Sequence, residues 1–348
     1  MDMFIPHSRP RATSEDLDAV RAALLAGHFA QGAEVDALER ELCERLGHAH
    51  AVVVSSGSAA LLLSLIALGV KAGDRVAIPS YTCQCLYSAA AYAGATVRCM
   101  DCLRDEVCMA SPLDGAKPGV AAAIVPHMFG FEADVQAWKR RGIPTIEDGA
   151  QAVGGTARDG SRLGSRGDLS ILSFYATKLL PAGEGGACLT NTPQVAETIR
   201  RLRNSDQQQL SPQAFNFKMT DIGAALARAK LRQLDENIAI RRQIAGRYDA
   251  AFGHASFRVR HGLNQAVCFR YLLEVAPGQT EAVISKARAV GIDCRRPVWK
   301  PLHQSLGSDC PQADIRHQTL LSVPLYPSLS EPEIGRICHE ISRLITRA

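Results

Sequence analysis

A chain of 348 residues, 47% hydrophobic and 21% charged, has the apolar material for a large core and no compositional case for disorder, and it exceeds one usual domain. Thirty-nine Lys and Arg against 35 Asp and Glu give a formal net charge of +4, too balanced to make nucleic acid the expected partner, so a small molecule is expected instead. Eleven cysteines scattered from Cys43 to Cys338, with an amino-terminal MDMFIPHSRP that lacks the apolar core of a signal peptide, predict a reduced, cytoplasmic protein.

Residues 51–70 carry no charge and are long enough for a membrane span. Ser55-Ser56-Gly57-Ser58 divides them, however, into the β-branched run AVVV and the helical run ALLLSLIALG, which predicts a strand, a polar turn and a buried helix. From there to about residue 191 short apolar runs alternate with helical stretches: DRVAIPS, ATVRCMD, VAAAIVPHM, IPTIEDGA, DLSILSFYA and GACLTN. Such alternation predicts right-handed crossovers and a mostly parallel sheet covered on both faces. Residues 219–251 read as one or two long helices with Asp221, Asp235 and many arginines on the outer face. CFRYLLEVA then reads as a strand, TEAVISKARAVGI as an amphipathic helix closed by Gly291, and Ser330 with Glu333 as a capping box opening a helix striped by Ile334, Ile337, Ile341 and Ile345. The division expected is a large domain over 1–234 and a smaller α+β domain over 235–348, completed by the amino-terminal segment.

Ligands of parallel sheets sit at the carboxyl ends of the strands, which here carry residues 55–58, 80–83, His127, Asp148 and 173–178. SSGSAAL at a strand-to-helix turn is a phosphate cradle or a simple cap. Asp148, ending an apolar strand, binds a cation or protonated ring nitrogen, or caps the next helix. Lys178 follows Ser173 in SFYATKLLPAGEGG, where Gly183, Gly185 and Gly186 let the chain fold back. A lysine there is either a solvated surface charge or an amine available to an aldehyde. A phosphate cradle, a carboxylate and a lysine, in that order on a parallel sheet, are the three handles pyridoxal phosphate requires.

With these residues in place the chain resembles the DegT/DnrJ/EryC1/StrS aminotransferases, of the aspartate-aminotransferase type (PLP fold type I), most of which act on keto sugars attached to nucleotides. The motifs that carry the resemblance run over nearly the whole chain: FAQGAEVDALERELCERLG, SSGSAAL, PSYTCQC, PHMFG, IEDGAQAVGG, SFYATKLLPAGEGG, FNFKMTDIGAAL, GIDCRRPVWKPLH and LSVPLYPSLS. The resemblance implies that Lys178 forms the Schiff base with the cofactor and that Asp148 pairs with the pyridine nitrogen. It further implies that Gly57, Ser58 and Ser173 hold the phosphate and that Gln151 lies near the ring hydroxyl. Asn216 looks like the family asparagine that reaches the phosphate of the neighbouring subunit's cofactor, which implies an obligate homodimer with shared sites.

Cys83 stands where the family commonly has an aromatic ring on the cofactor face, and a thiol offers less stacking area. Val153 stands where many members have histidine, and Lys218 where arginine is frequent, close to the expected acidic part of the substrate. His127 and His303 lie in motifs expected to face the pocket, either orienting substrate or satisfied in the core. The activity implied is a ping-pong transamination from glutamate or glutamine, through pyridoxamine phosphate, to a keto or aldehyde group of a nucleotide-linked sugar. Relatives that dehydrate sugars carry histidine in place of the lysine, which Lys178 opposes, and a non-catalytic binding protein is a rival of another class. A four-thiolate zinc site from Cys83, Cys85, Cys99 and Cys102 competes with the reading of these thiols as small buried hydrophobes.

Overall fold

The structure, a computed structural model of the chain, describes residues 4–112, 119–206, 213–260 and 267–346. The short apolar runs are strands: β1 (His50–Val54), β2 (Arg75–Pro79), β3 (Thr96–Met100), β4 (Ala122–Pro126), β5 (Thr145–Asp148), β6 (Leu169–Ser173) and β7 (Gly186–Thr190). They form one sheet in the order β1-β7-β6-β5-β4-β2-β3. Strand β7 runs antiparallel to β1 and β6, and the remaining pairs are parallel. The one reversed strand matters for function, because it starts at the rim where its neighbours end: Gly186 pairs with both Val54 and Ser173.

Side chains alternate between the faces as the period of two requires. Val52, Val54, Val76, Ile78, Ile124 and Ile171 pack on one face, under the helices Gly57–Ala67, Gln84–Tyr92 and Pro193–Arg203. Ala51, Val53 and Leu172 point to the other, under the helices Ala33–Leu46 and Asp221–Arg232. The uncharged stretch 51–70 is therefore β1, its turn and a buried helix, and among the described residues no helix is long and apolar enough to cross a membrane.

A second core gathers Ile5, Tyr248, Tyr271, Ile292, Leu321 and Ile337. It lies among the helices Leu234–Phe252, Thr280–Ala289 and Glu331–Thr346 and a two-stranded antiparallel sheet of β8 (Tyr271–Glu274) and β9 (Leu320–Val323). Ile5 bridges Ile292 and donates its N–H to Gly291, which ties the amino terminus into this core. The capping box forms as predicted: Ser330 donates its N–H to Glu333, and Glu333 returns its own N–H to the Ser330 hydroxyl. Strand β9 has no counterpart in the sequence reading. It follows the helix Pro311–Thr319 without an intervening turn, so no Gly or Pro punctuates the change of period.

Asp221 departs from expectation. It is 2% exposed, not on an outer face, and its carboxylate accepts the N–H groups of Gly32 (2.7 Å), Val35 (3.1 Å) and Glu34 (3.3 Å). Helix Ala33–Leu46 begins after a glycine that has no side chain to cap it, and a helix start leaves N–H groups without partners. Asp221 supplies the missing acceptor from 189 residues away. Asp235 does lie outside, paired with Arg45. Replacing Asp221 with Asn leaves at least one buried donor poorly matched, at a cost of about 1–3 kcal/mol. Thermal unfolding followed by circular dichroism should show a lower Tm for Asp221→Asn, and an unchanged Tm would mean that solvent meets those donors.

Candidate active site

The rim at the carboxyl ends of the strands is built by close backbone approach. A Cβ placed on Gly57 would lie 2.8 Å from Cβ of Ser173, and one on Gly186 would lie 2.6 Å from the carbonyl carbon of Ser56. The turn after β1, the end of β6 and the start of β7 thus touch, with no room for side chains between them. Ser56 caps its own helix by accepting the N–H of Ala59 at 3.0 Å. The Ser55 N–H is taken by the carbonyl of Phe217 at 2.7 Å, which fastens the FNFKM segment beside the turn.

Ser56, Gly57, Ser58 and Ser173 line a cavity of about 300 Å³ whose other walls include Asp148, Gln151 and Lys178. Asp148 closes β5, is 7% exposed and accepts the Ala150 N–H at 2.9 Å. Burial pushes its pKa up, opposed by that N–H and by the nearby Lys178. A carboxylate so placed gains from a cationic N–H donor. Lys178 sits in a loop pinned by Lys178 N–H to Tyr175 C=O (2.8 Å), Ala176 N–H to Gly183 C=O (3.0 Å) and Phe174 N–H to Gly185 C=O (2.8 Å). Its Nζ stands over the Phe269 ring, 5.4 Å from the centroid. Gln151 accepts the N–H of Phe129 at 2.7 Å. Phe129 adopts φ 58° and ψ 13°, a left-handed conformation costly for a bulky residue, so Gln151 secures a strained turn at the cavity wall.

Lys178 also lines an adjoining cavity of about 630 Å³, with Thr82, Cys83, Met128, Gln151 and Tyr175 common to both. The far wall of this outer chamber comes from Phe269, Arg270 and residues 297–302, including Trp299, which is 90% exposed. The sequence reading assigned no role to these residues. The signal available was Trp299 held between Pro297 and Pro301 in the PVWKP stretch.

A small helix-start cradle with serine hydroxyls, a buried carboxylate and a lysine around one 300 Å³ space has the chemistry to hold pyridoxal phosphate. The structure therefore brings together Gly57, Ser58, Cys83, Asp148, Gln151, Ser173 and Lys178.

Other candidates lie elsewhere. His127 is fully buried, its Nδ1 accepting the Ala133 N–H at 3.0 Å and its Nε2 facing Glu147 at 2.8 Å; it braces the strand end that carries Asp148 and does not face the cavities. His303 is buried between Ser80 (2.6 Å) and Asp314 (3.2 Å), and its neighbours Leu302 and Ser305 form the chamber wall in its place. Lys218 pairs with Asp206 at 2.7 Å and bonds Asn204 at 3.2 Å. Asn216 is exposed and lines neither cavity of its own chain. Val153 is buried under helix Leu234–Phe252. Cys102 is buried with its thiol toward the Val107 carbonyl, and among the described residues no cluster of His, Cys, Asp and Glu could hold a metal ion.

Fold and site together define a pyridoxal-phosphate-dependent aminotransferase of fold type I. Residues 10–342 match the model of the DegT/DnrJ/EryC1/StrS aminotransferase family, and the chain belongs to that family. It is similar to the aminotransferase TlmJ from Streptoalloteichus hindustanus, at 25% identity over 99% of both chains with a TM-score of 0.91. S. venezuelae DesV, solved in complex with a ketimine intermediate, is 28% identical over 96% of this chain and 95% of its own, TM-score 0.87. DesI, solved in the presence of its TDP-sugar product, shares the fold at 24% identity over 100% of this chain and 94% of its own, TM-score 0.89.

Glu147 shows how firmly the layer under the site is set. Burial acts to raise its pKa, but the His127 hydrogen bond and the N–H groups of Gly164 and Arg166 outweigh it and hold the carboxyl at about 2, below the ordinary 4.5. A depressed folded-state pKa contributes stability that is complete above pH 4.5 and is lost as pH falls toward 2. In Glu147→Gln the urea midpoint should be lower at neutral pH and should fall less steeply over that acid window. Parallel slopes for the two proteins would show that Glu147 does not drive the acid limb.

Proposed function

We propose that this protein transfers an amino group from glutamate or glutamine to a keto or aldehyde group of a nucleotide-linked sugar, by a ping-pong cycle, as a homodimer with shared sites. The observation that carries the reading is the convergence of Lys178, Asp148 and the Gly57–Ser173 contact on one cavity that opens into a larger chamber. Bound there, pyridoxal phosphate supplies an aldehyde that exchanges amino groups and a protonated ring that takes up the electron pair left when the substrate loses its α-proton.

The chain's own residues do the rest. Ser58, Ser173 and the N–H groups at the start of helix Gly57–Ala67 bind the phosphate and fix the ring's position. Asp148 keeps the proton on the ring nitrogen by opposite-charge pairing in a buried setting. The Lys178 amine would hold and move a proton at Nζ, and Phe269 beneath Nζ restrains where that amine reaches. The outer chamber admits donor and acceptor in turn. Its size, its aromatic groups Tyr175, Phe269 and Trp299 and its cationic Arg270 and Lys300 suit a sugar carrying a base and a diphosphate. DesI, which shares this fold, was solved in the presence of its TDP-sugar product, and this supports a nucleotide-linked sugar as the acceptor.

Two tests follow from separate parts of the site. With Asp148→Asn the ring nitrogen loses its anionic partner, so half-transamination by amino donors, read from the cofactor's absorbance, should slow by orders of magnitude while cofactor retention changes far less. Near wild-type rates would make Asp148 a cap for the Ala150 N–H and nothing more. A screen of amino donors and sugar acceptors by the same spectrum tests the substrate class, and a wild-type spectrum that no donor alters would indicate a binding protein.

The shared-site proposal rests on Asn216, which is exposed yet held next to the phosphate turn by the Ser55–Phe217 bond. Mixing inactive Lys178→Ala with inactive Asn216→Ala chains should restore part of the activity, because each heterodimer holds one intact site. No recovery in demonstrated heterodimers would mean that each site is made within one chain.

A further inference from the structure

Cys83 and Cys85 flank the start of helix Gln84–Tyr92, Cys83 as the extended residue before it and Cys85 as its second residue. Their Sγ atoms are 2.8 Å apart, so a small movement separates them from the roughly 2.0 Å of a sulfur–sulfur bond. Both line the inner cavity, and Cys83 also faces the outer chamber. Cys83 is exposed and Cys85 half-buried, whereas Cys102, Cys108, Cys188, Cys268, Cys294 and Cys310 are buried.

The two sulfurs are chemically unequal. The Cys83 thiol is drawn down to about 7, chiefly by the hydrogen bond with Cys85, against desolvation of the sulfur itself and the charge of Asp148. The same contact and burial push the Cys85 thiol up. Cys83 is thus the nucleophile and Cys85 holds the proton beside it. This is the arrangement of an attacking and a resolving thiol.

We propose that Cys83 and Cys85 are an oxidant-sensitive pair that a peroxide converts to a disulfide in the wall of the cofactor cavity. The Cys83 thiolate attacks one peroxide oxygen, an S–O bond forms and the O–O bond breaks; the departing oxygen leaves as hydroxide and takes up a proton. Sulfur is oxidised by two electrons and peroxide is reduced. The Cys85 sulfur then attacks the sulfenic sulfur, the S–S bond forms, the S–O bond breaks, and hydroxide leaves with the Cys85 proton as water. Two thiols and one hydrogen peroxide give one disulfide and two waters, and an added dithiol reverses the change. Closing the pair reshapes the wall that Cys83 and Cys85 give to the cavity they share with Lys178 and Asp148, so the cofactor loses part of its seating and turnover falls. Bond formation itself does not depend on the proposed substrate.

The test uses reduced holoenzyme moved into thiol-free buffer, exposed to hydrogen peroxide, quenched with iodoacetamide and examined by intact mass and peptide mapping. The expected result is two fewer carbamidomethyl groups than in the equally alkylated reduced control, a linked Cys83–Cys85 peptide lighter by two hydrogens than its dithiol form, and half-transamination that falls in step with it and returns with dithiothreitol. In Cys85→Ser the resolving thiol is gone, so dimedone should trap a sulfenic acid on Cys83. The proposal is overturned if both thiols of peroxide-treated wild type remain open to alkylation, if a different pair links, or if the disulfide forms with the cofactor's spectrum and the half-reaction unchanged. The wild-type map decides the matter even if the variant does not fold. An inactive donor screen with a linked peptide would sink the proposed function and leave the thiol chemistry standing.

Discussion

The site depends on one steric constraint: the backbone contacts of Gly186 with the Ser56–Gly57 peptide and of Gly57 with Ser173, each too close for an added Cβ. They bring three strand ends within touching distance and allow the reversed strand β7 to start where β1 and β6 finish. The loop that carries Lys178 spans the short distance from Ser173 to Gly186, and its internal hydrogen bonds leave little freedom. The lysine and the phosphate turn are therefore positioned by the same contact. A side chain at either glycine would separate them.

Beneath this rim a buried polar layer fixes the electrostatics. Glu147 accepts backbone N–H groups from Gly164, Arg166 and Gly167 and the His127 ring, and the next residue along β5 is Asp148. Adjacent strand residues face opposite sides of a sheet. The pair therefore divides its work, Glu147 locking the far side while Asp148 presents a carboxylate to the cavity. Buried carboxylates are stable only when their partners are supplied. Glu147 has its donors within the chain, whereas Asp148 accepts one N–H from Ala150 and lines the cavity, where a cationic donor would complete its pairing.

The strands from 50 to 190 were legible because their apolar runs are short, β-branched and separated by helical stretches, and the cradle, Asp148 and Lys178 because they follow strand ends at motif spacing. What was not legible depends on contacts between distant segments. Asp221 has the look of a surface acid at a helix start, and only the approach of Gly32 makes it a buried cap. His127 and His303 lie in motifs that border the pocket, yet buried partners turn both rings inward. Phe269, Arg270 and Trp299 reach the chamber from the far part of the chain, and no local pattern marks them as neighbours of Lys178.

The account centres on Lys178 as the residue that joins the cofactor covalently. Borohydride reduction of the holoenzyme, followed by proteolysis and mass mapping, tests this directly. The account predicts the reduced cofactor on the peptide containing Lys178, and no such adduct in Lys178→Ala although that protein still binds the cofactor. Cofactor fixed on another lysine at full occupancy, in either protein, would contradict it.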